Sequence, residues 1–242
     1  MYMNIIILFL ILIILFIMLQ FYCNNIEVYE FDSKVKGIHL LLIGGTHGNE
    51  PSGSVALTKF IKEMQDKKYI LKTGKITIIP KPNKLGYLFN KRNLLHRFYN
   101  KDLNRNYPRN AKEKALDPIS AKIMDYVNKS DWILDFHEGW GYIYENKGSM
   151  GSGIFPGNTE NSITMANNIL TSINSAINSE NKFGLQEGIH PNIRSLKSYA
   201  NYLQKNYILI ETSGQNDIQP IHIRVEQILF IIDFFLRFND MI

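Results

Sequence analysis

With 242 residues, 45% of them hydrophobic and 20% charged, the chain can close one sizeable core without cross-links. Its net charge of +5 is spread along the sequence, with no basic stripe interleaved with aromatics, which argues against a nucleic-acid partner. A single cysteine, Cys23, excludes an intramolecular disulfide.

The first 22 residues differ from the rest. Asn4 to Tyr22, NIIILFLILIILFIMLQFY, carries no charge and is almost wholly aliphatic. At about 1.5 Å per residue, such a run crosses a typical hydrocarbon core. A cleaved signal peptide would show Lys or Arg before the apolar run and small residues after it; neither is present, and bulky Phe21 and Tyr22 precede Cys23. The expectation is a single-pass, uncleaved anchor over 4–22, a polar linker over 23–36 and one domain over 37–242. Lys34 and Lys36 behind the anchor lean towards a cytoplasmic domain but leave the side open, and the Asn128-Lys-Ser triplet is too common to decide it.

After the linker, apolar strands alternate with amphipathic helices. GIHLLLIG (37–44) predicts a buried strand and SVALTKFIKEMQ (54–65) the helix after it. KITIIP (75–80) is another strand, stopped by Pro80 and Pro82. The stretch 81–110 has little periodicity, and a long irregular stretch inside a compact domain is usually functional. Helices are predicted over 117–130, with Asp117 as cap and Pro118 in the first turn, and over 159–178, 195–205 and 221–238. Strands are predicted over 131–137 and 206–211. This alternation predicts an α/β domain, a central, largely parallel or mixed sheet flanked by helices.

His47, His137 and Glu211 each fall at or just past the carboxyl end of a predicted strand, the edge where open α/β sheets bind ligands. In GGTHGNEPSG, His47 and Glu50 either shape a turn and open a helix or serve as metal ligands. A catalytic zinc takes three protein ligands and keeps one position open, and two histidines with a glutamate form an established set; His137 in DFHEG could be the third. Glu138 beside it reads as a substrate contact, a support for the ligands or a solvated carboxylate. In HRFYNKDLNRNYP, Arg97, Asn104 and Arg105 offer donors for a substrate carboxylate or a developing oxyanion, and Asp102 could orient a ligating histidine. Glu211 in ILIETSG could take a proton from the attacking water and pass it to the leaving amine.

The ordered set GGTHGNEPSG, DLNRNYP, DFHEG and ILIETSG resembles the M14 zinc carboxypeptidase superfamily, most closely its succinylglutamate desuccinylase/aspartoacylase branch. The resemblance runs from about Gly37 to the final helix. It implies one zinc ion on His47, Glu50 and His137, with Glu211 as general base and then acid. It also implies Arg97, seven residues before the Asn-Arg pair, as the carbonyl-polarising arginine, Asn104 and Arg105 as the substrate-carboxylate pair, and Asp102 behind a ligand. The family's capping tyrosine has no motif here; Tyr199, Tyr202 and Tyr207 are candidates. The implied activity is hydrolysis of an amide bond next to a substrate carboxylate, on a peptide or a small acylated amino acid. A catalytically inactive metal- or ligand-binding protein on the same fold is the alternative, and a membrane-tethered scaffold explains the anchor but not the site.

Overall fold

The computed structural model describes residues 2–99, 101–146, 148–177, 181–186 and 193–242. Helix α1 (Tyr2–Asn24) contains a 20-residue run, Ile5–Asn24, that is long and apolar enough to cross a membrane, a property it shares with signal sequences. Its last turn touches the domain. Gln20 Nε2 donates to the His96 carbonyl at 3.2 Å, and the Lys84 ammonium sits over the Tyr22 ring at 4.5 Å.

Strand β1 (Tyr29–Asp32) lies inside the stretch expected to be a linker. It pairs antiparallel with β3 (Lys75–Ile79), and its half-buried Tyr29 and Phe31 pack on the core while Glu30 and Asp32 face water. Four alternating residues are too short a signal to separate from a polar connection. Strands β2 (His39–Gly44), β4 (Trp132–Gly139) and β7 (Asn206–Ser213) follow, with β5 (Gly153–Pro156) and β6 (Gly184–Leu185) at the far edge. The seven-stranded sheet has the order β1-β3-β2-β4-β7-β5-β6. The β3-β2-β4-β7 centre is parallel, while β1 and β5 run antiparallel to their inner neighbours, so the sheet is mixed.

The longer helices of the domain begin at start signals in the sequence, one of them three residues before the expected position 54. In α2 (Pro51–Gln65) proline occupies the first turn, and Ala56, Leu57, Phe60, Ile61 and Met64 form the buried stripe. In α4 (Pro118–Lys129) the Asp117 carboxylate accepts from Ile119 N at 2.7 Å and Ser120 N at 3.0 Å. The Thr159 hydroxyl caps α5 (Glu160–Ala176); the last residue of the helix expected over 159–178 lies outside the described residues. Helices α6 (Leu196–Tyr202) and α7 (Ile221–Phe238) complete the layers. Within 81–110 a short helix, α3 (Lys84–Leu88), and a 3-10 turn, Leu103–Arg105, interrupt the irregular chain.

Alternation along the central strands separates two cores. Leu40, Leu42, Leu134, Phe136, Ile208 and Ile210 meet α2, α5 and α7 on one face. Leu41, Ile43, Ile133, Tyr207 and Leu209 meet α4 and α6 on the other. The core strands are buried on both faces, as near-continuous apolar runs require. At their carboxyl ends this second face carries His137 and Glu211, which are direct register partners.

Candidate metal centre and its cleft

The loop after β2 brings His47 and Glu50 together because its backbone bends where only glycine is comfortable. Gly45 has φ +62°, and a Cβ on Gly48 would lie 1.9 Å from the Gly86 carbonyl carbon, so the loop packs directly against α3. Glu50 occupies the position before α2 but caps nothing with its side chain. Its carboxylate is committed to the histidines instead: Oε1 lies 2.8 Å from His47 Nδ1 and Oε2 lies 2.8 Å from His137 Nδ1. The two Nδ1 atoms are 3.2 Å apart. One ligand atom from each of the three buried residues falls within 4.8 Å of the others.

The outer nitrogen of each imidazole faces a carboxylate. His47 Nε2 lies 3.1 Å from Asp102 Oδ1, and His137 Nε2 lies 3.3 Å from Asp135 Oδ1. Such partners fix the ring orientation and leave the inner nitrogens free to ligate. Tyr207 in turn donates its hydroxyl to Asp135 Oδ2 at 2.7 Å. Burial disfavours charge on His137, yet the carboxylates of Asp135 and Glu50 hold its protonated form far above the usual histidine range. Burial likewise opposes ionisation of Glu50, yet His47 and His137 keep its carboxyl below the usual range. Two converging imidazole nitrogens and a buried carboxylate form a pocket that demands positive charge, and a divalent cation with nitrogen and oxygen preferences fits it.

Glu211 stands beside this cluster with its carboxyl facing a cleft of about 560 Å³. Burial, together with the nearby Glu50 and Asp135 carboxylates and against the opposing pull of His137, raises it to about 8. Asn104 and Arg105 line the same cleft. Asn104 Oδ1 accepts from Leu196 N at 2.9 Å, which ties the Asn-Arg turn to α6. Asp102 accepts from Asn104 N at 2.9 Å as well as facing His47, so one carboxylate braces both the histidine and the turn.

Arg97 is placed elsewhere. Its guanidinium donates to the Leu116 carbonyl at 3.3 Å and does not line the cleft. Arg92, which the motif spacing did not single out, reaches the cluster: Nη1 lies 3.2 Å from Glu50 Oε1, and Nη2 lies 3.1 Å from Asp102 Oδ2. Among the three candidate capping tyrosines only Tyr207 lines the cleft, with its hydroxyl already committed to Asp135. Tyr199 donates to Asn128 Oδ1 at 2.9 Å, and Tyr202 is exposed. Glu138 points to the opposite face from His137. It accepts from Ser52 N at 2.7 Å and from Arg224 Nη1 at 2.5 Å, a buried ion pair that joins β4 to α2 and α7.

Comparison with known proteins gives the family and the fold. Residues 36–227 match the family model of the succinylglutamate desuccinylase/aspartoacylase catalytic domain. The search of curated proteins gives no match. Among solved structures, the cell shape determinant Csd4 of Helicobacter pylori, solved with a bound tripeptide, superposes with a TM-score of 0.73 at 23% identity, over 90% of this chain and 56% of that one. The succinylglutamate desuccinylase/aspartoacylase of Rhodobacter sphaeroides gives 0.59 at 15% identity, over 90% of this chain and 60% of that one. The ectoine utilization protein EutE of Ruegeria pomeroyi, solved with its product, gives 0.60 at 16% identity, over 90% and 61%. At these identities the likeness is one of fold, and this chain spans little more than half the length of each neighbour.

Proposed function

The chain belongs to the succinylglutamate desuccinylase/aspartoacylase catalytic-domain family, and we propose that it is a zinc-dependent hydrolase cleaving an amide or peptide bond next to a substrate carboxylate. One observation carries this reading. Three buried ligand atoms within 4.8 Å of one another open onto the same cleft as Glu211. His47, Glu50 and His137 would hold one zinc ion, which when bound supplies a Lewis acid for the scissile carbonyl and makes water a nucleophile at neutral pH.

The protein's own groups do the rest. Glu211 takes a proton from the attacking water and hands it to the leaving nitrogen. Arg92, already at the cluster, stabilises the negative charge that develops on the carbonyl oxygen. Asn104 and Arg105 hold the substrate's free carboxylate, which fixes the bond to be cut relative to the metal. The cleft suits a short peptide end or an acylated amino acid. Helix α1 anchors the domain at a membrane, a role supported by its length and uninterrupted apolar surface.

The test uses the zinc-loaded full chain beside Glu211→Gln and His47→Ala. Each is incubated with peptides bearing free carboxyl termini and with N-acyl amino acids, and products are followed by mass spectrometry. The wild type is expected to release free amino acids. Glu211→Gln should keep its zinc and lose about 10²- to 10⁴-fold in turnover, whereas His47→Ala should lose both metal and turnover. Release from peptides identifies a metallocarboxypeptidase, and release from the acylated set alone identifies a deacylase. Near-normal turnover in Glu211→Gln would remove that residue from the mechanism.

A further inference from the structure

The stretch 81–101 follows the carboxyl end of β3 and has an unusual composition. It contains Lys81, Lys84, Lys91, Arg92, Arg97 and Lys101 but neither aspartate nor glutamate. Two of these cations are used within the protein, Arg92 by Glu50 and Asp102 and Lys84 by Glu27 at 3.4 Å. Lys91 and Lys101 are exposed. The same stretch holds large apolar side chains in water: Leu88, Phe89 and Leu95 are exposed, and Phe98 and Tyr99 are 81% and 83% exposed. Scattered apolar residues on a surface mean little, but a run of them rimmed by charge marks an interaction site.

The exit of helix α1 says what covers it. Tyr29 pairs with Ile78, so β1 begins, and α1 ends shortly before it, at the carboxyl edge of the sheet. There the basic stretch clasps the last turn of the apolar span Ile5–Asn24: His96 accepts from Gln20 through its carbonyl, and Lys84 sits over Tyr22. A 20-residue span covers about 30 Å, the whole hydrocarbon thickness, so its last turn lies at the headgroup layer. The stretch that grips this turn lies at the same level. Aromatic rings at that depth, with lysines beside them facing anionic headgroups, are what a membrane interface selects. Resting on the anchor reading above, we propose that this stretch is a second membrane contact. Leu88, Phe89, Phe98 and Tyr99 enter the headgroup layer, and Lys91 and Lys101 bind anionic phospholipid. The contact sets the carboxyl edge of the sheet, with the metal cluster and its cleft, next to the bilayer, and it steadies the stretch that carries Arg92 to Glu50.

Spin labels on the full chain test this. In a Cys23→Ser background, a label is attached at Phe98→Cys or, as a control, at Ile70→Cys, which is exposed ahead of β3 at the amino edge of the sheet. The proteins are reconstituted into vesicles of phosphatidylcholine, with or without phosphatidylglycerol. Collision with oxygen, which concentrates in lipid, is compared with collision with a nickel chelate, which stays in water. On anionic vesicles the Phe98→Cys label should favour oxygen and the Ile70→Cys label the nickel chelate. A lysine near an anionic surface is worth about fivefold in binding, so Lys91→Gln with Lys101→Gln should weaken the contact roughly 25-fold. That double substitution, or phosphatidylcholine alone, should return the Phe98→Cys label largely to water. A Phe98→Cys label that meets nickel freely on anionic vesicles, or that stays in lipid without the two lysines, overturns the proposal. So does a label shielded from both reagents, which would mean that protein covers the patch. Washing with alkaline carbonate reads the anchor separately. A chain that resists the wash while its label stays in water keeps the anchor and loses this contact. A chain whose label enters lipid but which washes off keeps the contact and loses the anchor.

Discussion

Replacing Glu211 by glutamine should make the metal-free protein more stable, and the gain should grow with pH. The Glu211 carboxyl is raised from 4.5 to about 8 in the folded chain, first by burial and then by the Glu50 and Asp135 carboxylates, with His137 pulling the other way. An acid whose folded value lies above its unfolded value keeps its proton in the native state after the unfolded chain has lost it. Stability then falls as pH rises through that interval and levels off above the folded value. At about 1.4 kcal/mol per pH unit, wild type is penalised by nothing below the unfolded value, by about 3 kcal/mol at pH 7 and by about 5 kcal/mol above pH 8. Glutamine keeps the shape and never ionises, so it escapes the penalty.

Urea unfolding of the full chain in detergent, with a chelator present, measures the difference between the two proteins at several pH values. The curves should coincide in mild acid and separate steadily towards pH 8. Adding zinc should narrow the gap, because a cation at the ligand set favours the ionised carboxyl and so lowers its pKa. A constant difference across pH, or a glutamine variant that is less stable at neutral pH, would refute the placement of Glu211 as a carboxyl whose charge its metal-free surroundings resist.

Four further substitutions and one double variant probe the surroundings. Asp135→Asn keeps the volume behind His137 but removes the charge facing Nε2, and it should weaken zinc binding by about 10- to 100-fold in a chelator competition; unchanged affinity would show that Tyr207 and packing alone orient the ring. Arg92→Met should lower kcat by roughly 10²- to 10³-fold, whereas Arg97→Met should stay within a few-fold of wild type, since only Arg92 reaches the cluster; the opposite ranking would return the oxyanion role to Arg97. Arg224→Met leaves the Glu138 carboxylate buried without its cation and should cost about 3–5 kcal/mol in urea unfolding, most of it recovered in the Arg224→Met, Glu138→Gln double variant.

The residues of the candidate metal cluster are legible because each sits where local sequence fixes backbone direction. His47 and Glu50 share a glycine-bounded turn, and His137 and Glu211 end apolar strands that pair in register. The sheet and its main helices were readable from apolar period and caps, and failed only where elements are short, as in β1, α3, β5 and β6. Arg92 could not be found in this way. It lies in a stretch without periodicity, and its reach to Glu50 and Asp102 is set by how α3 packs on the loop at Gly48. Counting back from the Asn-Arg pair leads instead to Arg97, whose side chain this packing turns towards Leu116.

Asp135 and Glu138 show a finer signal, one that strand geometry does contain. Successive side chains on β4 alternate, so Asp135 must share the face of His137, and Glu138 must leave it. Once His137 is taken as a ligand, the residue two positions earlier is the natural partner for its outer nitrogen, and the residue after it cannot be a ligand to the same ion. The structure places Asp135 3.3 Å from His137 Nε2 and pairs Glu138 with Arg224 beneath the sheet. The two acids that flank the histidine thus divide the work by parity alone. Asp135 sets its carboxylate behind the imidazole that faces the cleft, and Glu138 locks the same strand to α2 and α7, so that His137 has a rigid base.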